Sequence, residues 1–156
     1  MLDVKSSCCH YVGKIKSLEL WFHSAHHCAK GASFSGDHKL LYNEIYTNTN
    51  KLFDKTVEKM ISITDCEDVA CPIGIADSTT NCLKNYTSPS NANPLTIAVS
   101  GCALIKDFIV EIEKIHQCLK GSNKLTLGTE DLLASTANDY EGYLYKMKQR
   151  IKGCVQ

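Results

Sequence analysis

Apolar residues recur every three or four positions along four long stretches, the period of a helix that buries one face. From Val12 to Lys30, the residues Ile15, Leu18, Phe22, Ala25 and Ala29 form one stripe, and Gly31 is a stop signal. From Asp37 to Ile63, the positions Leu41, Ile45, Leu52, Thr56, Met60 and Ile63 keep the same step behind the capping sequence Ser35-Gly36-Asp37. A third helix is predicted over residues 95–120, between Pro94 and Gly121. Its stripe is Ala98, Cys102, Ile105, Ile109, Ile112, His116 and Leu119. A fourth is predicted over residues 129–152, with Leu133, Ala137, Tyr140, Leu144, Met147 and Ile151 on one face. Thr129 is its cap, and Glu130 and Asp131 suit the positive end of the helix dipole.

The links between these stretches are unequal. Short links join helices one and two, and helices three and four, which makes two antiparallel hairpins. Residues 64–93 are rich in Ser, Thr, Asn, Asp, Gly and Pro and read as one long crossover loop. The pattern therefore predicts an all-α chain with a single domain over residues 1–156. Its architecture is expected to be a ferritin-like four-helix bundle of two hairpins, with the crossover between helices two and three.

Composition supports an ordered chain: 156 residues, 44% hydrophobic and 22% charged. No apolar run is long enough to span a bilayer, so no membrane partner is expected. The first residues lack the apolar core of a secretory signal. Lys plus Arg equals Asp plus Glu at 17 each, and Arg150 is the sole arginine, so DNA binding is not expected. Lys146, Lys148, Arg150 and Lys152 read as a solvated helix face. Nine cysteines form an odd set without any C-x-x-C pair, which removes zinc-ribbon and thioredoxin readings. Cys66, Cys71 and Cys82 could staple the polar stretch, and Cys8, Cys9 and Cys154 could crosslink neighbouring chains. The other reading is reduced thiols throughout, with Cys102 and Cys118 as small core residues.

The candidate chemistry lies in imidazoles and carboxylates, which together suit iron, zinc or manganese. Helix one carries His23, His26 and His27, and His38 opens helix two. Asp54 and Glu58, four apart on helix two, share a face. The run His26-x3-Lys30-Gly31-x2-Phe34-x3-His38 resembles a segment of the Dps proteins, the mini-ferritins of starved bacteria, and Asp54-x3-Glu58 resembles the acidic segment of their second helix. The ending Tyr143-Leu144-Tyr145-Lys146-Met147-Lys148 is similar to divergent ferritin-like proteins of tailed phages.

The resemblance implies a di-iron ferroxidase site at a two-fold interface. His26 and His38 would come from one subunit, and Asp54 and Glu58 from its partner. It further implies a homo-oligomer, usually a dodecameric shell that stores ferric mineral. The setting would be the bacterial cytoplasm, or a virion if the chain is phage-encoded. The chain departs from the family at four points, one of them the lack of a convincing lysine-rich DNA-binding tail. His27 stands in place of a tryptophan, and Tyr42 in place of an acid four residues after His38. The spacing from His38 to Asp54 is one residue long, which turns the two about 100° apart on a continuous helix unless a bulge or an offset helix start absorbs it. The alternative function is a ferritin-like structural or assembly protein, such as a virion component held by disulfides and intersubunit contacts, without ferroxidase activity. A second metal reading lies within one chain: Glu113-x2-His116 with Glu19 and His23. Against every metal reading stands a bland one, with histidines at a polar interface and Asp54 and Glu58 paired to Lys51 and Lys55.

Overall fold

The computed structural model describes residues 3–152. It is all-helical, with no strand among the described residues. Five helices follow in order: α1 Val4–Cys28, α2 Asn43–Thr64, α3 Pro72–Leu83, α4 Pro94–Gly121 and α5 Leu127–Lys152. A π-helical segment, Gly36–Tyr42, runs directly into α2, and a 3₁₀ turn, Glu67–Ala70, precedes α3.

Three expectations are corrected. The first helix begins at Val4, not Val12, because the Asp3 carboxylate caps it by accepting from the backbone N–H groups of Lys5 and Ser6. The second helix is not uniformly α, since its first seven residues wind as a π-helix. The third correction concerns the expected crossover loop, residues 64–93, which contains α3. Pro72 sits in the first turn of α3, where its fixed φ favours the helix and no N–H is needed. The buried side of α3 is formed by Thr79 and Cys82. It packs on α1 at Gly13, where a Cβ would lie 2.4 Å from that of Ser78. Small residues hold this contact where Leu and Ile hold the others, because they let the two helices approach closely.

The third and fourth helices fall within two residues of their expected bounds. Asn93 caps α4 by accepting from Thr96 N–H at 2.8 Å. The core joins Val12, Ile15, Leu18 and Phe22 of α1 with Ile45 and Met60 of α2, Leu104, Ile105 and Phe108 of α4, and Leu133 and Met147 of α5. Cross-helix pairs fix the directions. Phe22 meets Tyr42 at one end of α1, while Lys16 lies over Phe53 further down, so α1 and α2 are antiparallel. His10 pairs with Glu111 and Cys118 reaches Ser7, so α1 and α4 are antiparallel as well. Asn48 donates to the Tyr143 hydroxyl and Lys146 to Glu44, which runs α2 against α5. No described helix is long and apolar enough to cross a membrane.

Candidate functional site

The corner between α1 and α2 gathers the imidazoles. After α1 the chain reverses at Gly31, whose φ of +75° is a conformation that favours glycine. The reversal lays His38 against His26. Their rings stack at a centroid separation of 3.8 Å and 17° between planes. The His26 Nδ1 lies 2.8 Å from the backbone oxygen of His38, and the His38 Nδ1 lies 2.8 Å from the backbone oxygen of His26. A carbonyl oxygen can only accept, so each Nδ1–H donates. In the neutral rings both Nε2 atoms then carry the lone pair, the arrangement usual for metal-ligating histidines. Both residues are half-buried, within reach of solvent. Phe34 stacks on His38 at 4.9 Å. His23 stacks on Tyr46 at 4.3 Å and stands 4.7 Å from His27.

Beneath the imidazoles lies an ion pair that the sequence did not disclose. Asp37 is 2% exposed. Arg150 of α5 donates to both of its carboxylate oxygens, from Nε at 2.7 Å and from Nη2 at 3.0 Å. Ser33 Oγ donates to the same carboxylate at 2.8 Å. Such a two-pronged, partly buried pair fixes orientation as well as charge. Arg150 is therefore a tie between α5 and the corner, not part of a solvated basic face. Lys146 of that face is likewise paired, with Glu44 at 2.8 Å. The only signal for the tie is that the chain holds a single guanidinium.

The carboxylates stand apart from the imidazoles. Asp54 and Glu58 are exposed on α2, and neither forms an ion pair among the described residues, so the expected pairing with Lys51 and Lys55 is not formed. Among the described residues, no three His, Cys, Asp or Glu side chains gather into a metal-holding group within the chain. This includes the internal set: Glu113 is exposed, His116 pairs with Glu130 of α5 at 3.1 Å, and Glu19 pairs with Lys16. Tyr42 is 1% exposed against Phe22, and burial raises its phenol well above the usual range. An uncharged packing side chain thus fills that position. The eight described cysteines are all free, which leaves the staple of Cys66, Cys71 and Cys82 unformed. Cys102 is a core residue and Cys118 is half-buried; Cys154 lies outside the described residues.

No protein family, curated protein or solved structure matches this chain.

Proposed function

We propose that the protein is a Dps-like mini-ferritin, which binds and oxidises iron(II) at a di-iron site shared between two subunits. His26 and His38 of one subunit would face Asp54 and Glu58 of the other. The observation that carries this reading is the reciprocal Nδ1–H···O=C lock on His26 and His38, which leaves two parallel rings with their Nε2 lone pairs available, one for each iron. The exposure of Asp54 and Glu58 supports it too, since a partner can reach them. So does the π-helical segment at Gly36–Tyr42. An i→i+5 turn takes up about one more residue than an α turn, so it absorbs the long spacing between His38 and Asp54. The neighbour relations of α1, α2, α4 and α5, two hairpins packed antiparallel, agree with a ferritin-like bundle whose crossover carries α3.

Iron is substrate here. Two iron(II) ions give up one electron each. Hydrogen peroxide takes both electrons and two protons, its O–O bond breaks, and two waters leave. The chain contributes neutral imidazoles and anionic carboxylates, which favour the more highly charged ferric product. A homo-oligomer, dodecameric if the resemblance extends that far, belongs to the same proposal, as does a bacterial cytoplasmic setting.

The second reading, a ferritin-like assembly protein such as a virion component, is favoured by one observation. Cys71 is exposed as a free thiol and could reach a neighbouring chain. Anaerobic iron(II) titration followed by addition of hydrogen peroxide, read as ferric absorbance against a protein-free control, separates the two. Saturable oxidation that is lost in His38→Ala and in Glu58→Ala supports the ferroxidase. A trace equal to the control, with reductant-sensitive ladders on a gel, supports the assembly protein.

A further inference from the structure

Two imidazoles at the same corner take no part in the proposed iron site. His23 and His27 lie four apart on α1, so they project from one face. Their ring centroids are 4.7 Å apart. Neither ring nitrogen has a hydrogen-bond or ion-pair partner among the described residues, in contrast to His10, His26, His38 and His116. Both are accessible, His27 exposed and His23 half-buried. His23 is held from behind by the Tyr46 ring at 4.3 Å and 19°, which limits its rotation.

The spacing suits a shared ion. Two nitrogens each about 2 Å from one metal lie roughly 3 Å apart, with the ring centres about 1 Å behind them, so a centroid separation near 4.7 Å is within reach. The surroundings favour a cation as well. The pair sits in the last turns of α1, where carbonyls without an intrahelical partner give the helix its negative end. Imidazole donors select borderline transition ions over magnesium or calcium.

We infer that His23 and His27 form a second, chelating site for a divalent transition-metal ion such as nickel, zinc or cobalt, separate from His26 and His38, with water completing the coordination. This site does not depend on the iron reading. Its position beside the stacked pair makes it a place where a metal ion is held at the mouth of the α1–α2 corner.

The test is calorimetric titration of the full chain with nickel chloride at fixed pH under reductant-free, oxygen-free conditions, alongside NMR of the imidazole resonances. Nickel is chosen over zinc because the free thiols compete more strongly for zinc. The expected result is a tightest site whose binding broadens the His23 and His27 signals at the lowest nickel. In His23→Gln/His27→Gln affinity should fall by at least roughly tenfold, since losing even a ligand's hydrogen-bond partner costs that much. His26→Gln/His38→Gln should keep the site. Far-ultraviolet circular dichroism checks that each variant stays helical. Unchanged nickel affinity in His23→Gln/His27→Gln overturns the inference, as does broadening confined to other histidines. Iron oxidation measured on the same proteins reports the iron reading separately, so either can fail alone.

Discussion

Replacing Gly13 by alanine places a methyl group where α1 and α3 touch. The added Cβ would lie 2.1 Å from Ser78 Oγ, 2.4 Å from Ser78 Cβ and 3.2 Å from the Ser78 carbonyl carbon. The hydroxyl can swing away, but the Cβ and the backbone cannot. Ordinary carbon contacts begin near 3.5 Å, so α3 must retreat by about 1 Å. That retreat stretches the bond that Thr79 Oγ1 donates to the Gly13 carbonyl, already 3.3 Å, and loosens buried Thr79 and Cys82. Overpacking of this kind costs about 1–3 kcal/mol. Against it stands the gain of alanine over glycine inside a helix, about 1 kcal/mol. The net is a loss of up to about 2 kcal/mol, or up to roughly 8 °C in Tm for a chain of this size. Thermal unfolding followed by circular dichroism measures it. Hydrogen exchange should locate the damage, with amides of α3 losing more protection than those of α4. A Gly13→Ala/Ser78→Gly double variant should show favourable coupling of about 1 kcal/mol, because the second change makes room for the first. A Gly13→Ala protein that melts at or above the wild-type temperature would refute the argument, and strictly additive effects would show that α3 does not press on α1 at this point.

Two further outcomes follow from buried groups. Arg150→Ala leaves the Asp37 carboxylate, 2% exposed, without its guanidinium, and should cost about 3 kcal/mol in urea unfolding; a shift below about 0.5 kcal/mol, the size of an ordinary surface change, would mean the pair is not closed in solution. Burial pushes the Cys8 thiol up to about 12 from 9.0, so the folded chain holds this proton where the unfolded chain releases it. Its contribution is complete below pH 9 and is lost between pH 9 and about 12. Stability should therefore fall across that window, and Cys8→Ala should flatten the first part of the fall; an identical slope in the variant would place the alkaline sensitivity elsewhere, with the buried tyrosines as the next candidates.

The long helices were legible because each carries a stripe of five to seven mostly apolar positions at helical spacing. The remaining elements were not, for separate physical reasons. The start of α1 depends on one carboxylate, Asp3; Cys8 and Tyr11 continue the stripe from Ile15 by steps of three and four, but a thiol and a phenol among polar neighbours are weak apolar signals. The face of α3 is made of serine, threonine and cysteine, whose packing value comes from small size against Gly13 rather than from hydrophobicity. Of the candidate site, His26 and His38 were legible through the resemblance to the Dps segment, while their stacking and reciprocal backbone hydrogen bonds had no local signal. The Asp37–Arg150 tie joins residues 113 apart, and no local pattern encodes it.

That tie also bears on the order in which the molecule can be made. Synthesis runs from the N-terminal side, so the corner carrying the imidazoles leaves the ribosome long before the residue that braces it. Until position 150 emerges, the Asp37 carboxylate has no guanidinium to accompany it out of water, and burying it alone is unfavourable. The α1–α2 hairpin can form early, yet its corner reaches the finished geometry only when the last helix docks. A nascent or truncated chain thus carries its histidines in an unbraced corner.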